Sequence, residues 1–578
     1  MNARVALVAA LVLALVAPVA AKPASRSKRP AKAALAATKK GASARVAITR
    51  AGELRPAREI VGRREEPLTI EEETAKTIMK LLRGPGLRNG VTGLLVANAR
   101  TGEPLFAVNA TDSFNPASNV KMISTATALE LLGPEFRYPT RLLGPEPHQG
   151  VVKGDVFLLG SYDPTLSASD LDDIAAAVAA RGITAIDGNI VVGADPTRDG
   201  IFRAIVPIEV TAGEPGQPPT AVVPLGAEHV TVVVTATTSK RAMKRSRLTY
   251  KTETTKRDGA APTITVTIGG TIGKGASTMY PLWTRERTAT AAYAMRASLR
   301  AHSISFTGDM KIMELGDFIG DAVGTGALPV ELGRHDSRRL ADIVSRVNKW
   351  SVNWLADRVI MTASALVRRQ PPSMTVALEA MYGWLARHPH LATKGLVLDT
   401  GSGLSYRTQI TPTDLVAVVR SAGGFAGDDD VDPSVSQAWL DSLSIARTDG
   451  TLRHRLRDSD LRARVRGKTG TLSTVIAMSG ILDLDPTRPL AFSLITNTDV
   501  PIAKGRVRKA HDQVLSTLCN YLSKTMKVSV PTVGPPPAAV PPALEEAEET
   551  DPEALEGETS AVDTAPVTSL AATATTAP

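Results

Sequence analysis

The first clear pattern along the chain is a pair of apolar runs, Thr92 to Asn98 and Leu105 to Asn109, separated by Ala-Arg-Thr-Gly-Glu-Pro. That arrangement predicts a hairpin. From Ser118, the apolar residues Met122, Ile123, Ala126, Leu129 and Leu132 fall on one helical stripe that stops at Gly133. Residues 151 to 325 read as mostly short strands with Gly- and Pro-bearing turns, among them Val156 to Leu159, Ile190 to Val192, Val230 to Val234 and Ile264 to Ile268. Helical periodicity returns with Leu340, Ile343, Val344, Val347, Leu355, Val359 and Ile360. Three strand-like runs follow (Ala463 to Arg466, Val475 to Leu482, Leu490 to Thr496), then a last helix from about Gly505 to Leu522. Hairpin-type loops between the last strands predict an antiparallel sheet with helices packed on it, an α+β fold interrupted by a large β-rich insert.

This pattern divides the chain into a first part of the folded domain at 67–140, an insert at 141–330 and a second part at 331–528. The ends are of a different kind. Arg4, an unbroken apolar stretch from Val5 to Val16 and the small residues Val19-Ala20-Ala21 read as a signal peptide over 1–21, too short for the roughly 20 apolar residues of a membrane span. Residues 22–66 form a basic arm, with nine bases and no acid between 22 and 52. Residues 529–578 form a Pro/Ala/Thr-rich tail, with nine acids and no base after 531. Both ends have the composition of disordered segments. The reading is an exported, periplasmic protein.

Charge and composition narrow the chemistry. The net charge of +9 invites a nucleic-acid reading, but much of the basic excess lies in the arm, which fits electrostatic contact with anionic envelope polymers. Only 4% of the 578 residues are aromatic, which argues against base stacking, so no nucleic-acid partner is expected. The single cysteine, Cys519, excludes an intramolecular disulfide, and the eight histidines form no metal-binding motif, so neither a metal nor a cofactor is expected.

Three short motifs carry candidate chemistry. Ser118 and Lys121 lie three apart at a predicted helix start, on one face and about a turn apart. An isolated pair of this kind is more often an N-cap serine beside an exposed lysine. Ser351 and Asn353 are two apart, a spacing that cannot share a helix face, so both reach one substrate only from a turn between helices. Lys468-Thr469-Gly470-Thr471 opens a strand-like run, where lysine supplies positive charge and glycine lets a substrate approach the backbone. Two decoys are set aside. Asp399-Thr400-Gly401 resembles an aspartic-protease loop without the second aspartate that mechanism needs, and Gly467-Lys468-Thr469 lacks the upstream glycine of a phosphate loop.

In the order Ser-x-x-Lys, Ser-x-Asn, Lys-Thr-Gly, these motifs resemble those of the penicillin-recognising serine enzymes, the penicillin-binding proteins and serine β-lactamases. Long spacings, 233 positions from Ser118 to Ser351 and 117 from Ser351 to Lys468, make the chain similar to the type-4 low-molecular-mass penicillin-binding proteins. That is a D-alanyl-D-alanine carboxypeptidase/endopeptidase family with a large insert after the Ser-x-x-Lys helix. Asn115-Pro116-Ala117, Gly160 to Leu166, Asp399 to Ser405 and Asp449 to Leu452 add to the resemblance. The chain departs from the family at Tyr162, where glycine is usual, and over Thr211 to Val223, where Glu214 is the only acid.

The resemblance implies a serine DD-peptidase acting on peptidoglycan stem peptides, with β-lactams as inhibitors. A β-lactamase-type hydrolase and a non-catalytic wall-binding scaffold are the alternatives. It also implies roles for the residues. Ser118 would be the nucleophile and Lys121 its base, made neutral by burial and by the charge of Lys468. Ser351 would relay a proton to the leaving amine, and Asn353 would orient the acyl-side peptide. Lys468 and Thr469 would hold the terminal carboxylate, and the backbone N–H groups of Ser118 and Thr471 would form the oxyanion hole.

Overall fold

Central strands that are mostly apolar on both faces must be covered on both faces, and this requirement organises the fold. The strands are β1 (Val91–Asn98), β2 (Pro104–Val108), β3 (Ser444–Ile445), β4 (Val465–Thr471), β5 (Val475–Leu482) and β6 (Leu490–Asn497). They are hydrogen-bonded in the order β3-β4-β5-β6-β1-β2, with every neighbouring pair antiparallel. Along β5 the two-residue period sends Ala477 and Ile481 into one core and Ile476, Met478 and Leu482 into the other. The computed structural model describes residues 70–525, apart from 194–204, 225, 244–245, 258–259, 285, 325–327, 389–394, 428–430, 458–460 and 486, together with the strands Val46–Ile48 and Leu54–Pro56.

Helices of both halves of the chain cover this sheet. Its first core is filled by α2 (Lys121–Leu132), α3 (Leu340–Trp350) and α4 (Asn353–Arg368). The second is filled by α1 (Glu72–Leu82) and α5 (Lys504–Thr525), through Ile78, Val507, Val514 and Leu518 among others. Cys519 belongs to this second core, where burial pushes its thiol up to about 12. Helix α2 is not the amphipathic surface helix that its apolar stripe suggests, because Lys121 through Leu129 are all buried. Its polar side chains bond inward, Thr125 Oγ1 to the Lys121 carbonyl at 2.6 Å and Ser124 Oγ to the Gly401 carbonyl at 2.8 Å.

The segment between the halves leaves and returns side by side. Strand Pro139–Gly144 pairs antiparallel with Val330–Asp336, both in a mixed five-stranded sheet. Long strands such as Arg247–Arg257 and Ala260–Ile272 build a separate core around Ile264, Val266 and Ile268. The insert is less purely β than its pattern suggests, for it also contains helices Asp170–Ala180, Arg287–Ala301 and Leu315–Gly324. The first of these has the proper signals: Asp170, Asp172 and Asp173 in its first turn, and buried Leu171, Ile174, Ala175 and Val178 at helical spacing.

Two further differences have local causes. Tyr162 adopts φ +66°, left-handed backbone that costs a side-chain-bearing residue about 1 kcal/mol and explains why glycine is the usual choice there. The basic arm is not featureless, since Val46–Ile48 and Leu54–Pro56 pair antiparallel, with β-branched Val46 and Ile48 suited to a strand. The signal segment and the acidic tail lie outside the described residues.

Candidate active site

Ser118 sits where a short 3-10 turn, Ala117–Val120, runs into α2. Between Phe114 and Leu129 it is the one residue that is not buried. The approach to it is clamped from several sides. Asn115 N–H donates to Asn497 Oδ1 at 2.7 Å, Asn115 Nδ2 to the Ser405 carbonyl at 2.7 Å, and Ala117 N–H to Asn115 Oδ1 at 2.8 Å. Ala117 is held at φ +47°, a sparsely populated conformation that persists because those bonds fix it. Immediately after the serine, Asn119 Nδ2 donates to Ser479 Oγ on β5 at 2.9 Å and locks the turn to the sheet.

The three motifs converge here. Lys121 Nζ donates to Ser118 Oγ at 3.0 Å, to Asn353 Oδ1 at 2.7 Å and to the Ser402 carbonyl at 2.7 Å. Lys468 Nζ donates to Ser351 Oγ at 2.8 Å and to the Thr469 carbonyl at 2.8 Å. Ser351 occupies the turn between α3 and α4 at φ +61°, as the two-residue spacing requires. Both lysines are completely buried. Burial lowers Lys121 to about 7, opposed by the charge of Asp357. Lys468 is driven well below the usual lysine value, first by burial and then by the charge of Lys121. The mutual repulsion expected between the lysines therefore falls on Lys468, while Lys121 owes its shift to desolvation.

Lys-Thr-Gly lies inside β4, not at its opening, because Gly467 through Gly470 continue the register against Gly480 through Ala477 on β5. Beyond Gly467 the outer edge of β4 has no partner strand among the described residues, since β3 pairs only with Arg466 and Gly467. Gly470 serves the protein's own packing. A Cβ there would lie 2.5 Å from the Pro116 carbonyl oxygen and 3.1 Å from Ala117 Cβ. The absence of a side chain thus lets β4 close onto the nucleophile's turn. Thr469 Oγ1 donates to Thr451 Oγ1 at 2.9 Å, and Thr471 Oγ1 accepts from Arg508 Nη2 at 3.0 Å.

Some site residues have no motif of their own. The Asp399 to Ser405 stretch, part of the family resemblance, supplies the Ser402 carbonyl to Lys121. Its approach depends on Gly403 at φ +77°, where a Cβ would stand 2.1 Å from the Ala117 carbonyl oxygen. Asp357 Oδ1 accepts from the Ser402 N–H at 2.7 Å and orients that loop. Burial raises the Asp357 carboxyl, opposed by Lys121 and by the Ser402 and Gly401 donors. Its place four residues after Asn353, one turn on along α4, is the signal that would have found it. Arg508 has no such signal. His454 is exposed and takes no part. Among the described residues no group of His, Cys, Asp or Glu could hold a metal ion.

Known proteins resemble this chain over most of its length. Residues 74–518 match the D-Ala-D-Ala carboxypeptidase 3 (S13) family. A D-alanyl-D-alanine carboxypeptidase of Actinomadura sp. (strain R39) is 28% identical over 473 residues, covering 74% of this chain and 81% of that protein. A carboxypeptidase of Mycobacterium tuberculosis is 29% identical over 169 residues, 28% of this chain and 35% of its own length. Penicillin-binding protein 4 of Haemophilus influenzae, solved with a β-lactam, superposes with a TM-score of 0.58 at 20% identity over 77% of this chain and 99% of that one. The fold is thus the α+β fold of the penicillin-binding proteins.

Proposed function

The chain belongs to the D-Ala-D-Ala carboxypeptidase 3 (S13) family and is a serine DD-peptidase, and we propose that the side chains around Ser118 carry out acyl transfer from peptidoglycan stem peptides through a serine ester. One observation carries this reading. An amine that burial holds near 7 lies 3.0 Å from the only accessible side chain of its segment, a serine hydroxyl.

Ser118 Oγ attacks the carbonyl carbon of the penultimate D-alanine, and its proton passes to neutral Lys121. Asn353, bonded to the same amine, orients the acyl-side peptide. Backbone N–H groups of Ser118 and Thr471 receive the developing oxyanion, each such donor being worth about 3 to 4 kcal/mol. Ser351, held by Lys468, passes a proton to the leaving amine and is reprotonated by the proton that Lys121 took, so that Lys121 is neutral again and D-alanine departs with its amine protonated. Water then attacks the ester, neutral Lys121 takes its proton and returns it to Ser118 Oγ as the ester C–O bond breaks, and Ser118 is regenerated. A β-lactam acylates the same serine and blocks this last step.

Peptidoglycan lies outside the cytoplasmic membrane, so the protein works there, and the leader read in residues 1–21 supports a periplasmic destination. The nine bases between 22 and 52 support screened attraction to anionic envelope polymers.

The test uses the full-length protein, a fluorescent penicillin and an acyl-D-alanyl-D-alanine peptide. A long-lived adduct on Ser118 together with D-alanine release is the expected result, and Ser118→Ala should lose both. Rapid loss of the label without peptide turnover would mean a β-lactamase. No labelling at all would mean a scaffold.

A further inference from the structure

The insert carries a sheet whose outer face the chemistry at Ser118 leaves unused. Strands Val230–Val234 and Ala260–Ile272 run parallel, and Arg247–Arg257 pairs antiparallel with the second of them. The two-residue period turns Val232, Ile264, Val266, Ile268 and Leu248 into the insert's core, together with Tyr250, which stacks on Tyr280 with ring centroids 3.8 Å apart. Alternate positions face out, and the register sets them in rows: Lys251, Thr267 and Val233, then Thr249 and Gly269, then Arg247, Thr271 and Thr237.

Two features set this face apart from an ordinary solvated sheet. Gly269 has no left-handed backbone that would call for glycine. Beyond its chain neighbours, a Cβ there would meet only the hydroxyl oxygens of Thr249 and Thr235, at 2.9 and 3.4 Å, so the bare backbone forms a notch between two hydroxyls. The hydroxyls of Thr249, Thr267 and Thr271 make no hydrogen bond within the described residues and can donate to and accept from a ligand. The second feature is charge. From Lys240 to Arg257 the sequence holds eight bases and one acid, Glu253. Lys251 pairs with that acid at 2.6 Å, whereas the exposed Lys240, Arg241, Arg247 and Lys274 have no ion pair among the described residues. They gather at one end of the sheet, since Lys274 N–H donates to the Arg241 carbonyl at 3.2 Å and Lys274 follows Thr271, the partner of Arg247, by three positions.

Rows of unbonded hydroxyls beside unpaired cations suit a sugar polymer that carries carboxylates. None of the outward positions in these rows is aromatic, as base stacking would need, and Val233 is their one large apolar side chain, too little to enter a membrane. We propose that this face, with the Gly269 notch and the cations Lys240, Arg241, Arg247 and Lys274, is a second, non-catalytic binding site for the carboxylate-bearing glycan strands of peptidoglycan, holding the polymer while Ser118 works on its stems. The choice of polymer rests on the DD-peptidase reading. A small acyl-D-alanyl-D-alanine peptide carries no glycan, so the face raises action on the polymer alone.

The test compares three full-length proteins: wild type, a combined Lys240→Gln, Arg241→Gln, Arg247→Gln and Lys274→Gln variant, and Gly269→Ala. Each is cosedimented with purified peptidoglycan stripped of phosphate polymers, at low and high salt, and assayed for kcat/KM on the small peptide. The combined variant should bind the wall at least about tenfold more weakly at low salt, with the gap closing at high salt. Gly269→Ala should lose about threefold or more at either salt, as for one or two hydrogen bonds, and both should keep small-peptide turnover within about twofold of wild type. Wild-type wall binding by the combined variant would leave attachment to the basic arm, and unchanged binding by Gly269→Ala would reduce the face to bare charge; either result overturns the proposal. So would a matching loss of small-peptide turnover, which makes these residues structural, or a charge-dependent attachment found only with anionic phospholipid vesicles or only with unstripped wall. Wild type that binds the wall through this face yet releases no D-alanine from peptide or polymer would instead sink the DD-peptidase reading and leave the binding site standing.

Discussion

If Lys121 is the base that takes the Ser118 proton, acylation follows the neutral fraction of one buried amine. Its value of about 7 sets the profile. The neutral fraction rises with pH, from about 1% at pH 5 to about 9% at pH 6, one half at pH 7 and about 90% at pH 8. An ordinary lysine near 10.5 would be about 0.03% neutral at pH 7, so burial raises the supply of active base roughly a thousandfold. Penicillin acylation, followed by stopped flow between pH 5 and 8.5, should therefore climb nearly tenfold per unit at the acid end and level off above pH 8. Asp357 is the charge that opposes burial at Lys121. The Asp357→Asn protein keeps an oxygen to accept from the Ser402 N–H but loses that charge, and its acid limb should move to lower pH by about one unit. Asp357 on α4 is the charge that raises Lys121 against burial, while the repulsion between the lysines falls on Lys468, so the Asn protein leaves Lys121 with desolvation alone. A flat wild-type profile from pH 5 to 8, or a limb that moves to higher pH in Asp357→Asn, would refute the assignment of Lys121 as the base.

Two other perturbations are read from packing. Gly470→Ala places a methyl group 2.5 Å from the Pro116 carbonyl oxygen, so β4 must retreat from the nucleophile's turn. Acylation should fall at least tenfold while stability to urea drops by about 1 to 3 kcal/mol, and wild-type acylation rates would show that the close approach is unnecessary. His511 is buried at 0% exposure, with Nε2 2.8 Å from Thr496 Oγ1, and burial lowers it to about 3. The unfolded chain binds its proton below about 6.5 and the folded one does not, so stability falls as pH drops from 6.5 toward 3, by about 2 kcal/mol at pH 5. In urea titrations at pH 7 and pH 5, His511→Gln should shrink the difference by about that amount, and an unchanged difference would assign the acid sensitivity elsewhere.

What could be read in the sequence was whatever depends on neighbours along the chain. Ser118 and Lys121 are one turn apart in any helix, so their contact needs no tertiary information. Ser351 and Asn353 cannot share a helix face, and they do stand at a turn between two helices. Runs that are mostly apolar on both faces mark β1, β5 and β6, because a strand covered on both sides leaves little room for alternation. The reach of β4 was not legible in the same way. Its Lys-Thr-Gly-Thr end has no apolar run, and only pairing with β5 makes it a strand.

The charge states were decided by the tertiary structure alone. Lys121 and Lys468 are lysines of equal standing in the sequence, but each one's proton affinity depends on water excluded by segments hundreds of residues away. Asn353, for instance, meets Lys121 across 232 positions. Asp357 acquires its part only because the 399–405 loop folds back so that Ser402 N–H reaches it at 2.7 Å. Arg508 looks like one more base in a basic helix until α5 passes beneath the sheet and sets its guanidinium on Thr471, 37 positions earlier. A motif fixes which functional groups are present, because those are covalent. Burial and the sum of distant charges fix which of them holds a proton, and these exist only once the chain has closed.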